Sequence, residues 1–192
     1  MKKIMFLIML VSPAVLMAQG FQLGVKGGVN VSNYTGGNLD TKSLIGFHVG
    51  GLMSFKLGNN VALQPEVLFS SQGAKYEQAD QEENLTVSYI NLPVLLKLKT
   101  NSGFFIEAGP QVGFKVGEDA DVPNQTIENF ANDLDLSVAG GLGYHSRSGF
   151  GISGRYIAGL SKVGDFNGNS IDPDFRNSVL QFSVFYTLFN NK

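Results

Sequence analysis

The sequence has 192 residues, of which 43% are hydrophobic, with 24 glycines and neither cysteine nor tryptophan. The formal net charge of −2 leaves no basic excess, so we expect no nucleic-acid partner. Without cysteine the chain has no disulfide, no thiolate metal site and no cysteine nucleophile. Composition therefore leaves the biochemical activity open, and the order of apolar and polar residues carries the argument.

The first 18 residues have the layout of a secretory signal peptide. Lys2 and Lys3 form a basic start, Ile4–Leu16 is mostly apolar, and the small residue Ala18 ends the segment. The apolar stretch is too short and too interrupted for a good transmembrane helix, and the alternative is a buried N-terminal helix. We expect cleavage after Ala18 and export across the inner membrane, which leaves residues 19–192 as one domain.

The rest of the chain alternates apolar and polar residues in eight segments, which is the pattern of β-strands with one apolar face. In Phe21–Val31, for example, Leu23, Val25 and Val29 share one face and Lys26 shares the other with neighbouring polar residues. Each strand is predicted to have roughly 10–13 residues, enough to cross a bilayer at a tilt of about 45°. No later segment has the roughly 18 consecutive apolar residues of a membrane helix.

The connections between these strands alternate in length. The short ones are Gly58–Asn60, Thr100–Gly103 and Ser146–Gly149, and the long, polar ones are Ser32–Leu44, Gly73–Ser88, Gly117–Asp133 and Gly159–Arg176. Outer-membrane barrels place short turns in the periplasm and long loops outside the cell. The pattern predicts an all-β, eight-stranded, antiparallel up-and-down transmembrane β-barrel in outer-membrane lipid. The long loops would be the surface that meets a ligand or an envelope protein.

Charged residues lie near the middle of the polar faces of these strands. A soluble lipocalin-like barrel, the main structural alternative, needs an apolar lining and a polar outside, whereas an ionic inside and an apolar outside suit lipid. Because unpaired charges in a narrow lumen are costly, we expect ion pairs that close it, with inward-facing glycines making room for the long side chains. The predicted lumen network comprises Lys26, Glu66, Lys97, Glu107 and Arg155, with a further pair between Lys115 and Asp135.

The two histidines do not predict an enzyme. His48 is expected to face inward, and His145 lies beside Ser146 at a short turn. Barrel lipid hydrolases carry their His/Ser pair facing lipid at the outer rim, so this position is the wrong one. Two isolated histidines also make no metal site, and we expect neither a catalytic residue nor a cofactor.

One polar loop partly matches a calcium-binding pattern. In DFNGNSIDPD (Asp165–Asp174), oxygen-bearing residues recur at alternate positions, as at the start of an EF-hand loop. Ser170 stands where that loop requires glycine, and Arg176 stands where it requires glutamate. A solvated surface loop is therefore our expectation, with calcium binding as the alternative.

Several strand motifs extend over essentially the whole mature chain. They are GVKGGVN (Gly24–Asn30), LQPEVLFSSQGAK (Leu63–Lys75), YINLPVLLKLK (Tyr89–Lys99), FFIEAGPQVGF (Phe104–Phe114) and VLQFSVFYTLF (Val179–Phe189). Together they resemble the PorT-like, "porin family" outer-membrane barrels of Bacteroidota. The resemblance implies the fold and a Gram-negative outer membrane, but no single function, because that family includes members tied to protein secretion and many of no known role. This chain is shorter than the secretion-linked members, so their role is not transferred to it. We expect a structural or interaction role; the alternatives are a narrow pore, an accessory subunit of a secretion system, and a soluble secreted ligand-binding barrel.

Overall fold

Eight β-strands follow one another along the chain in the computed structural model, which describes residues 20–36, 41–78, 81–120, 132–162 and 176–188. They are β1 (Phe21–Thr35), β2 (Thr41–Lys56), β3 (Val61–Gln78), β4 (Gln81–Lys99), β5 (Phe104–Ala120), β6 (Leu134–His145), β7 (Phe150–Gly159) and β8 (Arg176–Thr187). The predicted signal peptide and the calcium-like loop Asp165–Asp174 lie outside the described residues. Within these, no helix is long and apolar enough to cross a membrane.

Each strand pairs antiparallel with the next, and β8 pairs antiparallel with β1. The last pairing runs from Gly24 opposite Thr187 to Thr35 opposite Arg176. The sheet is therefore closed, which removes the two edge strands whose backbone N–H and C=O groups would otherwise lack partners. This confirms the predicted eight-stranded, antiparallel up-and-down barrel.

Strands β1 to β5 are longer than predicted, with the extra residues at one end of the barrel. β3 and β4 have 18 and 19 residues, and their pairing continues from Val61 opposite Leu98 to Gln78 opposite Gln81. Most of the segment Gly73–Ser88, which was predicted as a loop, is therefore a hairpin. The alternation of apolar and polar residues ends at the edge of the apolar outer surface. The backbone hydrogen bonding between the two strands continues beyond that edge, where the sequence is mostly polar. This is why hydropathy underestimated the strands.

The two ends of the barrel differ in their connections. We call the end with residues 57–60, 100–103 and 146–149 the short-turn end, and the opposite one the long-connection end. Two of the short turns repeat one design, since Gly103 and Gly149 both have positive φ and donate N–H bonds to Thr100 and Ser146. Glycine adopts this left-handed backbone without the steric penalty that a Cβ brings.

Large apolar side chains point away from the barrel. Ile45 is 76% exposed, Leu142 66%, and Val25 and Val184 more than half, while polar residues such as Asn30 and Gln181 are fully buried. This distribution is the reverse of a soluble lipocalin-like barrel. An outer surface of this kind is unfavourable in water, at about 25 cal/mol per Å² of apolar area, and suits an apolar solvent.

Two apolar clusters fill parts of the interior. Leu52, Phe105 and Phe185 pack together near the short-turn end, and a second cluster consists of Leu95, Ala139, Ile157 and Val179. On β5, Phe105 precedes Glu107, and on β7, Arg155 precedes Ile157. The charged residues in the middle of these strands therefore lie between the two apolar clusters, away from both openings.

Candidate functional site

Five charged side chains from five strands meet inside the barrel. Lys26 comes from β1, Glu66 from β3, Lys97 from β4, Glu107 from β5 and Arg155 from β7, and each is only 1–4% exposed. All five occupy inward positions of strands whose neighbouring residues face outward, as the strand periodicity requires. We call this set the lumen network.

Arg155 is at the centre of the lumen network. Its Nη1 and Nη2 donate to Glu66 Oε2 and Oε1, both at 2.9 Å. Its Nε and Nη2 donate to Glu107 Oε1 at 3.0 and 2.8 Å. One planar guanidinium thus links carboxylates from β3 and β5 to β7, in the forked geometry that makes arginine–carboxylate pairs strong.

A glycine leaves the space that this arginine occupies. In the sheet, Gly141 of β6 lies opposite Glu107 on one side and opposite Arg155 on the other. A Cβ at Gly141 would lie 2.6 Å from the Gly154 carbonyl oxygen and 3.2 Å from Arg155 Cβ. A larger residue at position 141 would therefore press on the backbone and on Arg155 in this narrow barrel.

The two lysines flank the carboxylates. Lys26 Nζ lies 3.3 Å from Glu66 Oε1, and Lys97 Nζ lies 3.6 Å from Glu107 Oε2. Gln64 connects the two halves, because it accepts a hydrogen bond from Lys97 at 2.7 Å and donates one to Glu66 at 2.7 Å. Lys97 Nζ also lies 3.8 Å above the ring of Phe105, a cation–π distance.

The formal charges of the lumen network do not cancel. Three cations face two carboxylates, so the five side chains sum to +1 when all are ionised. Buried charge is costly unless it is paired and hydrogen-bonded, and a surplus cation has the weakest compensation. Lys97 has the longest ion-pair distance of the set, 3.6 Å to Glu107.

The predicted pair between Lys115 and Asp135 is replaced by other contacts. Lys115 lies 3.3 Å from Glu118 and 3.6 Å from Asp133, and its backbone N–H donates to the Asp133 carbonyl. Asp135 is buried and accepts a hydrogen bond from Ser161 at 3.1 Å. The register places Asp135 opposite Gly113, so Asp133 lies nearest to Lys115 across the strands.

A second polar cluster contains His48, which the sequence placed inside without partners. Asn30 Nδ2 donates to Ser70 Oγ, and Asn30 Oδ1 accepts from Gln181 at 3.1 Å and from His48 Nδ1 at 2.8 Å. His48 Nδ1 therefore carries the proton, and Nε2 accepts from the Ser183 hydroxyl at 2.9 Å. Strand alternation could reveal these inward positions, but only the register shows that they meet.

His145 and Ser146 have separate hydrogen-bond partners. His145 Nδ1 lies 3.3 Å from Lys99 Nζ and Nε2 lies 3.1 Å from Thr187 Oγ1, while the Ser146 hydroxyl bonds to Ser148. This arrangement is not that of a nucleophile with its base. In the part of the chain that the structure describes, no three metal-ligating side chains come together.

Comparison with known proteins agrees with this architecture. The model of the "Outer membrane protein beta-barrel domain" family matches residues 17–165. None of the curated proteins matches the sequence.

Several solved structures share the fold. Neisserial surface protein A (NspA) is 15% identical with a TM-score of 0.54, covering 87% of this chain and 96% of that one. The Yersinia pestis attachment invasion locus protein Ail, in complex with the heparin analogue sucrose octasulfate, is 13% identical with a TM-score of 0.51, at 88% and 99% coverage. OprG from Pseudomonas aeruginosa is 12% identical with a TM-score of 0.50, at 88% and 97% coverage. At such identities the similarity shows the fold alone.

Proposed function

The chain belongs to the outer-membrane-protein β-barrel domain family, and on this premise we propose a closed barrel whose long-connection end is an interaction surface. In this proposal the protein is a small eight-stranded, PorT-like barrel of a Gram-negative outer membrane, it catalyses no reaction, and its lumen network blocks the passage of ions. Its role is structural or interactive, through contact with a surface ligand or an envelope protein.

The contact of Arg155 with two carboxylates is the observation that carries the closed lumen. The guanidinium bonds to Glu66 and Glu107, which lie on different strands, so the group bridges the hollow of the barrel. Eight-stranded barrels are just wide enough for their side chains to fill. An ion crossing this layer would have to separate charge pairs that are almost completely buried.

The charge of the sequence supports the long-connection end as the interaction surface. Of the 16 Asp and Glu residues, Glu66 and Glu107 belong to the lumen network; by their sequence positions, the other 14 belong to the connections and strand ends of the long-connection end. Only five Lys and Arg residues accompany them there: Lys42, Lys75, Lys115, Lys162 and Arg176. A partner with positive charge suits this end, whereas a polysulfated ligand such as that bound by Ail would be repelled.

Planar-bilayer recording tests the closed lumen. The purified barrel should insert without stable openings, and the membrane should keep its baseline conductance at both positive and negative voltages. Stable openings of reproducible size would contradict the closed lumen and indicate a narrow pore. Co-purification with a secretion machine from native membranes would indicate an accessory subunit.

Exchange of acidic residues tests the interaction surface. Cross-linking on whole cells would compare the natural chain with a variant in which Glu77, Glu82 and Glu83 are changed to Gln. The variant should lose the cross-linked partner while it keeps the same amount of folded barrel in the outer membrane. An unchanged cross-link would show that these charges are not the contact.

We also propose that residues 1–18 are a cleaved signal peptide. The support is the basic start, the apolar stretch and the small residue Ala18 in the sequence. Intact-mass measurement of the protein purified from outer membranes should give a chain that begins at Gln19. A mass that includes Met1–Ala18 would contradict cleavage.

A further inference from the structure

A small polar cavity of about 60 Å³ opens at the short-turn end of the barrel. Residues from β1, β2, β3, β4, β6 and the turn between β2 and β3 line it, among them Gln22, Ser54, Lys56, Lys97, Lys99 and His145. We propose that this mouth cavity binds a small oxyanion of the phosphate or sulfate class. The site is at the end opposite to the proposed interaction surface, so the two proposals stand or fall separately.

The lining of the mouth cavity is positively charged. Lys56, Lys97 and Lys99 are among its lining residues, and none of its lining residues is an aspartate or a glutamate. Glu66 and Glu107 lie next to two lining residues, Gln64 at 2.7 Å and Lys97 at 3.6 Å, but both carboxylates already bond to Arg155. A tetrahedral anion accepts hydrogen bonds from several donors at once, so it matches a lining that contains several lysines.

Lys97 connects the mouth cavity to the charge surplus of the lumen network. Lys97 is 4% exposed, and its ammonium group lies 3.6 Å from Glu107, which also bonds to Arg155. A bound anion beside Lys97 would bring the net charge of the lumen network and its ligand from +1 to zero or below. The desolvation of a surplus cation is thereby offset by a ligand of opposite charge.

His145 holds a second ammonium group at the cavity. Thr187 Oγ1 donates to the Gly149 carbonyl at 3.2 Å, so His145 Nε2 donates to Thr187 Oγ1. His145 Nδ1 is then an acceptor, and Lys99 Nζ donates to it at 3.3 Å. A lysine ammonium has three N–H donors, so two remain on Lys99 after its bond to His145. The buried imidazole thereby positions a cation at the mouth before any ligand arrives.

The cavity has the size of a small ion site. A cavity volume of roughly 10–15 Å³ is enough to hold one water molecule. The mouth cavity, with about 60 Å³, therefore accommodates an anion with little additional water. Ser54 and Gln22, both more than nine-tenths buried, supply neutral polar groups beside the lysines. A larger organic ligand is not accommodated within this volume.

Titration with inorganic phosphate tests the proposal. The barrel expressed from the full sequence would be reconstituted in phosphatidylcholine nanodiscs at constant ionic strength, and backbone amide shifts would be followed by NMR. Saturable shifts are expected at Lys56, Lys99 and His145. In each of the single variants Lys56→Gln and Lys99→Gln, the apparent Kd for phosphate should rise at least tenfold. Shifts that grow linearly with phosphate, without saturation, would overturn the site.

Lys115→Gln is the matched control, since it removes one ammonium group at the long-connection end. It should leave the Kd for phosphate within twofold of that of the natural chain. A tenfold rise of the Kd in this variant too would show that only the net charge matters, which would overturn the proposal. Heat-modifiable migration on gels confirms that each variant is a folded barrel.

Nanodiscs with phosphatidylglycerol distinguish the source of the anion. If the lipid phosphate occupies the cavity, these discs should shift the same amides without added phosphate and weaken the titration. If free phosphate is the ligand, the titration should be unchanged.

Discussion

Arg155 and Glu66 are joined by two parallel hydrogen bonds, from Nη1 to Oε2 and from Nη2 to Oε1, both 2.9 Å long. The two residues are 89 positions apart in the sequence and come from β7 and β3. Both side chains are almost inaccessible to solvent. Several testable consequences depend on this buried bidentate pair and on the unequal charges around it.

Replacement of Arg155 should be the most destabilising change in the lumen. Arg155→Gln leaves Glu66 and Glu107 without the guanidinium, and we expect the free energy of unfolding to fall by about 3–5 kcal/mol. Urea titration in phospholipid vesicles measures this change. Arg147→Gln, at an exposed turn, is the matched control and should alter the free energy of unfolding by no more than about 0.5 kcal/mol. Equal effects would contradict the central role of Arg155.

The charge surplus predicts an asymmetry between Lys97 and Glu107. Lys97→Met leaves two cations with two carboxylates, whereas Glu107→Gln leaves three cations with one carboxylate. We expect Glu107→Gln to destabilise the barrel by about 1–3 kcal/mol more than Lys97→Met, because it leaves more buried charge uncompensated. The same urea titration compares the two variants. A greater loss in Lys97→Met would show that this ammonium is not surplus.

The two short turns with positive φ should tolerate no Cβ. Gly103→Ala forces a left-handed backbone at φ 102° and places the new Cβ 2.7 Å from the His145 carbonyl oxygen. We expect a loss of about 1–2 kcal/mol in the free energy of unfolding. Gly58→Ala, in the third turn, has open space around its Cβ and should change stability little. If both variants behave alike, strain at Gly103 is not the cause.

The apolar outer surface predicts a dependence on depth in the bilayer. Val184 lies midway along the outward residues of β8, and Leu188 lies at their short-turn end. Val184→Arg should cost about 2–4 kcal/mol in vesicles, and Leu188→Arg about 0–1 kcal/mol, because arginine near the interface reaches polar headgroups. Equal costs at both positions would place the hydrocarbon layer elsewhere on the barrel.

Much of the fold could be predicted because strand periodicity is local. Alternation along Phe21–Val31 already separated outward Val25 from inward Lys26, and the structure shows the first exposed and the second buried. Strand ends were less predictable. β3 and β4 continue their pairing through residues 73–78 and 81–88, since backbone pairing needs no apolar side chains.

The site was predictable in part for the same reason. The inward positions of Lys26, Glu66, Lys97, Glu107 and Arg155 follow from alternation within each strand. Which of these groups touch depends on the stagger between strands, and the stagger is a property of the closed barrel. The expectation that Lys115 meets Asp135 was wrong for this reason, because the β5–β6 register brings Asp133 to Lys115 instead.

By itself, the sequence determined the number of strands, the face that each side chain takes and the unequal distribution of acidic residues between the two ends. These properties depend on the two-residue period of a strand and on the order of residues along it. Only the tertiary structure decided that one guanidinium joins two distant carboxylates and that three lysines line one cavity at the short-turn end. Those contacts depend on the stagger between neighbouring strands in the closed sheet, and the sequence of a single strand does not determine that stagger.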